Sequence, residues 1–197
     1  MFSLTEKIVL ASASPRRQLY FKDLGLPFTV IVPDIPEKRR EAEPVDSYIQ
    51  RLAREKAAYV AKERDRWILA ADTVVCLDEV TFEKPESSKE ALSMLMTLSG
   101  KEHQVRTAVC LCHLQRNVCD VVSVVTRVLF WNFSRMEAAA YVQTGEPMDK
   151  AGSYGIQGKG AFLVREVHGS YSNVVGLPLV ECLEMLSRNE LLSSSSK

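Results

Sequence analysis

Two arginines follow a short apolar stretch near the start of the chain, in the run from Ser12 to Arg17. Ser14 suits the N-cap of a helix and Pro15 its first position, which places free backbone N–H groups and the positive end of the helix dipole beside Arg16 and Arg17. A phosphate-bearing ligand would supply the negative charge that such a helix start lacks. A solvated basic turn is the alternative, so this run alone leaves both interpretations open.

A lysine occupies the apolar side of the helix predicted over 45–64. At about 100° per residue, Lys56 falls within the arc of the apolar residues on that helix. The arc consists of Val45, Tyr48, Ile49, Leu52, Ala53, Tyr59 and Val60. Lysines at such positions commonly pack their alkyl stem and extend the ammonium group to solvent. If Lys56 does not, it requires a buried anionic partner or ligand.

Asp72 interrupts an otherwise apolar strand predicted over 68–77. Buried carboxylates are rare unless they are paired, bound to a metal or catalytic, so Asp72 is a candidate general base or metal ligand. If Asp78 and Glu79 form the turn of a short hairpin, Lys84 returns to the same region. An ordinary surface charge pair is the alternative for Lys84.

Glycines are concentrated in the last third of the chain, where seven of the nine occur. The segment 145–160 is too rich in glycine for a regular element, yet it contains side chains that suit the enclosure of a planar base, such as Tyr154, Ile156 and Gln157. Gln157 offers both a donor and an acceptor to a base edge. The spacing matches neither a Walker loop nor a dinucleotide fingerprint, and a long irregular surface loop is the alternative.

Composition limits the classes of protein to which the chain can belong. With 197 residues and 46% hydrophobic content, it can bury one substantial core, so we expect a single domain over 1–190 and a disordered tail over 191–197. Twenty-five basic residues balance 25 acidic ones, which disfavours binding to nucleic acids or anionic membranes. No apolar segment is long enough to span a membrane, and the first residues lack a secretion signal. The five cysteines are unpatterned, which is typical of a cytoplasmic protein.

Apolar runs rich in β-branched residues alternate with helical patterns along the chain. The strands are predicted at 8–11, 28–32, 68–77, 105–114, 121–131 and 161–167. The helices are predicted at 15–24, 45–64, 87–100, 136–144 and 178–188, with Ser-to-Glu capping boxes at Ser87 and Ser134. Together with a hairpin about Asn117, this alternation predicts a mixed α/β sheet with helices packed on it.

Six ordered sequence blocks resemble the Maf family of nucleotide pyrophosphatases, from about Lys7 to Leu186. They are LASASPRR (10–17), RLAREKA (51–57), AADTVV (70–75), EKP (83–85), MDKAGSYGIQG (148–158) and VGLPL (175–179). The resemblance implies an α/β fold with a mixed, bent β-sheet, flanking helices and a cleft between two lobes, similar to that of inosine triphosphate pyrophosphatases. It also implies hydrolysis of a nucleoside triphosphate to the monophosphate and pyrophosphate with a divalent cation, Mg²⁺ or Mn²⁺.

The resemblance also implies catalytic roles for four residues. By position, Asp72 corresponds to the proton acceptor of the family, and Glu37, Lys56 and Lys84 correspond to polar residues of the same cleft. Glu37 and Asp72 would bind the metal. The stretch before Glu37 is richer in proline than the family's usual acidic stretch, which leaves the setting of Glu37 open.

Substrate recognition is implied for five further positions. Ser12, Arg16 and Arg17 would bind phosphate, and Thr73 and Gln157 would read the base. The subgroup with Arg16, Thr73 and Gln157 favours dTTP and UTP, and a house-cleaning role would extend this to modified pyrimidine nucleotides. The subgroup that acts on 7-methyl-GTP differs at these places.

The resemblance leaves one rival from another functional class. Some relatives are associated with cell division, so a nucleotide-sensing regulator that binds without turnover is the alternative. In such a sensor, the Asp72 carboxylate would repel the ligand unless a metal or chemistry intervened, which favours the enzyme. The expected partner is a nucleoside triphosphate, with no nucleic acid and no membrane. Dimers are common among similar proteins, so a homodimer is an assembly that the resemblance allows.

Overall fold

The computed structural model describes residues 2–62 and 65–194. Within these ranges the chain forms helices and strands in alternation, as expected for an α/β protein. In chain order they are β1 (Phe2–Leu4), β2 (Ile8–Ala11), α1 (Pro15–Asp23), β3 (Phe28–Val30), α2 (Val45–Ala61), β4 (Trp67–Leu77), β5 (Val80–Phe82), α3 (Ser88–Leu98), β6 (Glu102–His113), β7 (Val118–Phe130), α4 (Arg135–Gln143), β8 (Val164–His168), α5 (Tyr171–Val175), α6 (Leu179–Arg188) and β9 (Leu192–Ser194).

The main sheet is mixed, as the sequence predicts. Its strand order is β3-β2-β4-β6-β7-β8, with β5 paired to β4. Strand β2 runs parallel to both β3 and β4, and Ile8 lies opposite Phe28 on one side and Trp67 on the other. Strand β5 is antiparallel to β4, and β8 is antiparallel to β7. The predicted mixed α/β class is therefore confirmed.

Helix starts follow the predicted local signals at two places and differ at a third. The Ser87 hydroxyl accepts a hydrogen bond from the Glu90 N–H, and Ser134 and Glu137 form a complete capping box. At α1, Ser14 occupies the N-cap position, but its side chain makes no capping hydrogen bond to the described residues. Helix α2 ends at Ala61, and the predicted residues 63–64 lie outside the described ranges.

Two predicted boundaries are wrong at the end of the chain. The strand predicted from 161 begins at Val164, because residues 158–163 form a 3-10 helix whose first residue, Gly158, has a φ of +71°. Residues 192–194, placed by composition in a disordered tail, form β9 antiparallel to β1. Leu191 is buried in a core and Leu192 packs against it, which offsets the serine content that follows. Residues 195–197 lie outside the described part of the chain.

The chain divides into two compact units. The first contains Met1–Asp72, Thr107–Val124 and Gly176–Lys197, and the second contains Thr73–Arg106 and Val125–Val175. Each unit has its own apolar core. The first core includes Ile8, Leu10, Phe21, Leu69, Leu177 and Met185, and the second includes Val75, Leu95, Phe130, Phe133, Tyr141 and Leu163.

Among the described helices, none combines the length and the apolar character that crossing a membrane requires.

Candidate functional site

Lys56 lies between two carboxylates in the first unit. Its Nζ is 2.5 Å from Asp72 Oδ1 and 2.7 Å from Glu37 Oε1. Lys56 and Asp72 are only 7% and 6% exposed, so the ammonium group is held in the protein and does not extend to solvent. A buried Lys56 requires an anionic partner, and it has two, the carboxylates of Asp72 and Glu37. We call these three residues the carboxylate–lysine cluster.

Two members of the cluster are placed by regular elements and one is not. Lys56 projects from the apolar side of α2, and Asp72 follows the fully buried Ala70 and Ala71 in β4. Glu37 comes from residues 31–44, which form neither helix nor strand although the structure describes all of them. The backbone carbonyl of Glu37 accepts a hydrogen bond of 3.2 Å from the hydroxyl of Tyr48.

The positive charge of Lys56 is paired with the negative charges of the two carboxylates. An isolated buried charge is strongly disfavoured, whereas a buried pair with good hydrogen-bond geometry is tolerated. Lys56 donates to one oxygen of each carboxylate, and the ionised cluster carries a net charge of −1. A carboxylate oriented in this way can accept a proton from a water molecule.

Arg17 has a different setting from the one expected for a phosphate-binding residue. Its Nε donates to the carbonyl of Gly176 at 2.7 Å, and its Nη1 donates to the carbonyl of Ala71 at 2.8 Å. Nη1 also lies 3.3 Å from the hydroxyl oxygen of Ser12. Burial lowers the pKa of Arg17, and the charge of Asp72 opposes that shift. Arg17 thus holds the backbone directly before Asp72, and its role in substrate binding stays a prediction.

Ser12 and Arg16 complete the start of α1. Ser12 is 5% exposed, and its hydroxyl accepts a hydrogen bond of 3.2 Å from the N–H of Ser14. The side chain that orders this turn is therefore that of Ser12, two positions before the N-cap. The sequence pattern assigns this role to the side chain of Ser14. Arg16 is half-buried beside it on the first turn of α1. Both arginines thus lie in the first turn of α1, and the binding of phosphate by Arg16 and the helix N–H groups stays a prediction.

The remaining predicted residues belong to the second unit. Thr73 follows Asp72 in β4 and is half-buried. The predicted hairpin at Asp78 and Glu79 is confirmed, since Leu77 pairs with Val80 and Asp78 has a φ of +53°. Lys84 lies just after this hairpin and is exposed. The catalytic role of Lys84 stays a prediction.

The glycine-rich segment 145–160 is ordered around one carboxylate. Glu146 accepts hydrogen bonds from the N–H groups of Lys159 and Gly160, at 3.1 and 3.0 Å, and from the Tyr141 hydroxyl at 3.0 Å. Burial raises the pKa of Glu146, but these hydrogen bonds outweigh it and the net shift is downward. Gly158 has a φ of +71°, and a Cβ there would lie 3.0 Å from the Glu146 carboxylate. The half-buried Gln157 therefore lies in a segment whose backbone is held by hydrogen bonds. The sequence analysis did not identify Glu146 as the residue that accepts them.

Other candidate ligands have ordinary structural roles. Cys110 and Cys119 are free thiols with their Sγ atoms 3.9 Å apart. Burial raises the pKa of Cys112 to about 11, which keeps it a neutral thiol. His113 is buried against Trp67, with ring centroids 5.0 Å apart. Across residues 2–62 and 65–194, no group of three or more His, Cys, Asp or Glu side chains is arranged to hold a metal ion.

The carboxylate–lysine cluster nevertheless fits the donor set expected for Mg²⁺ or Mn²⁺ with a nucleotide. Magnesium that binds together with a nucleotide is commonly held by one or two carboxylates, with phosphates and water as its other ligands. Glu37 and Asp72 each have a carboxylate, a ligand that suits these cations, and both carboxylates contact the ammonium group of Lys56. These two residues could therefore contribute to such a metal site, and the metal itself stays a prediction.

Comparisons with known proteins identify the family of the chain. A protein named dTTP/UTP pyrophosphatase from Desulfotalea psychrophila is 45% identical over 194 residues, covering 98% of this chain and 100% of that protein. A protein of the same name from Salmonella typhimurium is 50% identical over 182 residues, covering 91% of each chain. The Staphylococcus aureus Ham1 protein has a similar fold, with a TM-score of 0.53 at 12% identity over 94% of this chain and 100% of that one. The family model described as Maf-like protein matches residues 7–189, and the chain belongs to that family.

Proposed function

We propose that this protein hydrolyses dTTP and UTP, and modified pyrimidine triphosphates of the same shape, to the nucleoside monophosphate and pyrophosphate. The observation that carries the proposal is the carboxylate–lysine cluster, which holds a buried carboxylate beside a fixed ammonium group. The names of relatives at 45% and 50% identity support the choice of substrates.

In the proposed reaction, water attacks the α-phosphorus in line with the bond to the bridging oxygen of the β-phosphate. Asp72 accepts a proton from that water as the new oxygen–phosphorus bond forms. The bond between the α-phosphorus and the bridging oxygen breaks, and pyrophosphate leaves with the bonding electrons. Lys56 orients the Asp72 carboxylate, because its ammonium group donates to Oδ1.

The substrate carries a large negative charge, which cationic and N–H groups would balance. Arg16 and the N-terminal N–H groups of α1 would bind phosphate oxygens, as helix starts commonly do. Lys84 would add a further positive charge. Thr73 and Gln157 would bind the pyrimidine edge, since both side chains offer hydrogen-bonding groups.

A divalent cation completes the proposed site. Glu37 and Asp72 would hold Mg²⁺ or Mn²⁺ together with phosphate oxygens of the substrate. When bound, the cation supplies neutralisation of the triphosphate charge. Glu37 would then serve the metal, and Asp72 would serve both the metal and the attacking water.

The setting proposed for this activity is the cytoplasm, with the nucleotide as the principal partner and a homodimer as the assembly. Equal numbers of basic and acidic residues, 25 of each, support the expectation that nucleic acids and anionic membranes are not partners.

A panel of nucleoside triphosphates with Mg²⁺ tests the proposal. Each nucleotide is incubated with the protein, and products are separated by ion exchange so that monophosphate plus pyrophosphate is distinguished from diphosphate plus orthophosphate. We expect pyrophosphate release from dTTP and UTP in preference to the purine triphosphates. Diphosphate and orthophosphate as first products would contradict the proposal, and tight binding without turnover would favour the regulator instead.

A further inference from the structure

Helix α2 does more than carry Lys56, because it also holds the irregular segment 31–44 that carries Glu37. We infer that Arg51 is a positioning residue for the reaction, which fixes the backbone beside Glu37 so that the Glu37 carboxylate stays at Lys56. The kinetic part of this inference rests on the proposed function.

Glu37 needs such support because no regular element supplies it. Residues 31–44, all within the described part of the chain, form neither helix nor strand. The Glu37 side chain is 46% exposed, so burial by itself does not fix its position. Yet its carboxylate lies 2.7 Å from Lys56 Nζ, a distance typical of a well-ordered charge-assisted hydrogen bond.

Arg51 binds the segment through its Nε and Nη2 atoms, while its Nη1 donates to Glu55 Oε2 of the same helix at 3.1 Å. Its Nε lies 2.7 Å from Glu43 Oε1, and its Nη2 lies 2.7 Å from Glu43 Oε2, which is a bidentate pair. The same Nη2 donates to the carbonyl of Lys38 at 3.1 Å. Arg51 thus forms hydrogen bonds with the first and the last residue of the segment 38–43, which directly follows Glu37.

Glu43 is itself tied into the segment, so the pair acts on the whole of it. The carbonyl of Glu43 accepts a hydrogen bond of 2.7 Å from Arg39 Nε. Its carboxylate oxygen Oε2 also accepts from the Arg40 N–H at 3.0 Å. The hydrogen bond from Arg51 lowers the pKa of Glu43 to about 2, so this clamp remains charged at any pH at which the enzyme would be assayed.

A second contact from the same helix fixes the other side of Glu37. The hydroxyl of Tyr48, a residue that is 1% exposed, donates to the Glu37 carbonyl at 3.2 Å. Tyr48, Arg51 and Lys56 therefore bind the carbonyl of residue 37, the carbonyl of residue 38 and the carboxylate of Glu37, respectively. Two successive carbonyls are thus held by α2, and Lys56 holds the carboxylate of Glu37.

The substitution Arg51→Lys tests this inference, because lysine keeps the charge but cannot form the bidentate pair together with the carbonyl contact. The matched control is Arg54→Lys, the same change on the exposed side of α2, where Nη2 lies 3.5 Å from Gln50 Oε1. Both proteins are compared with the wild type by hydrogen–deuterium exchange of residues 31–44, by thermal unfolding, and by dTTP hydrolysis over a range of Mg²⁺ concentrations.

We expect Arg51→Lys to speed exchange within 31–44 by about tenfold, as expected for a segment that loses its tethers. The value of kcat/KM should fall by about tenfold through misplacement of Glu37, and the Mg²⁺ concentration for half-maximal activity should rise. High Mg²⁺ should restore part of the lost rate, which a purely structural role would not produce. Arg54→Lys should match the wild type in every measurement. Glu43→Gln, which removes the partner charge while keeping its shape, should give the same changes at smaller size.

Two results would overturn the inference. One is wild-type exchange in 31–44 for both Arg51→Lys and Glu43→Gln. The other is faster exchange with unchanged kcat/KM and unchanged Mg²⁺ dependence, which would show a structural clamp without a role in positioning. If the wild type releases no pyrophosphate at all, the proposed function fails, and the exchange data alone then decide whether Arg51 holds the segment.

Discussion

The carboxylate–lysine cluster of the first unit and the glycine-rich segment of the second unit hold their polar groups in opposite ways. In the cluster, the ammonium group of Lys56 on α2 lies against the carboxylates of Asp72 on β4 and Glu37 in the irregular segment. In the glycine-rich segment, one carboxylate, that of Glu146, accepts hydrogen bonds from two backbone N–H groups and a hydroxyl.

The difference predicts different sensitivities in the two regions. Where a charge is balanced by another charge, removal of either member changes both the chemistry and the electrostatics of the site. Where a charge is balanced by N–H dipoles, its removal alters the shape of a loop and leaves other charges in place. Substitutions in the cluster should therefore affect turnover, and substitutions at Glu146 should affect substrate affinity.

The largest effect is expected for Asp72→Asn. The amide keeps the size of the side chain but cannot accept the proton from water, so kcat for dTTP should fall by at least about 10². Glu37 still pairs with Lys56, so we expect the fold and nucleotide binding to survive, as checked by circular dichroism and isothermal titration. Near-wild-type turnover would place the general base elsewhere, with Glu37 as the next candidate.

Removing the cation of the cluster, in Lys56→Met, should cut kcat/KM by about 10², in line with the loss of a charged hydrogen bond. It also leaves the buried Asp72 without its cation, so the free energy of unfolding should fall by about 3 kcal/mol. Kinetics and denaturant unfolding measure the two effects, with Lys62→Met at the exposed end of α2 as the control. Unchanged kinetics in a well-folded Lys56→Met protein would contradict a role in the site.

A smaller and different effect is expected in the second unit for Glu146→Gln. Glutamine presents an NH₂ group where the carboxylate accepts hydrogen bonds, so the segment should relax and Gln157 should lose its fixed position. The KM for dTTP should rise by roughly fivefold to tenfold, with kcat within about twofold, as expected for the loss of a charge-assisted hydrogen bond outside the reacting atoms. Glu184→Gln on the exposed side of α6 is the control. A loss of kcat as large as that of Asp72→Asn would remove the distinction between the two regions.

The sequence predicts the two members of the cluster that regular elements carry. Helical periodicity places Lys56 on the buried side of α2, and an interrupted apolar strand marks Asp72. Glu37 has no such signal, because the segment 31–44 has no period, and only the family resemblance identifies it. Arg51 lies in one of the family blocks, but its role depends on bonds to the Glu43 carboxylate and the Lys38 carbonyl, which a sequence pattern does not show.

Local signals also explain which parts of the fold could be predicted. The caps at Ser87 and Ser134 depend on a residue three positions away, so they are visible in the sequence. The contacts of Arg17 reach Ala71 and Gly176, which are 54 and 159 positions away, and the pairing of β1 with β9 joins residues 190 positions apart. Such long-range contacts depend on the tertiary fold and leave no periodic pattern.

The most direct test of the central claim is dTTP hydrolysis in H₂¹⁸O with Mg²⁺, followed by mass spectrometry of both products. Attack of water at the α-phosphorus predicts ¹⁸O in thymidine monophosphate and unlabelled pyrophosphate. Label in pyrophosphate would place the attack at the β-phosphorus and contradict the proposed reaction.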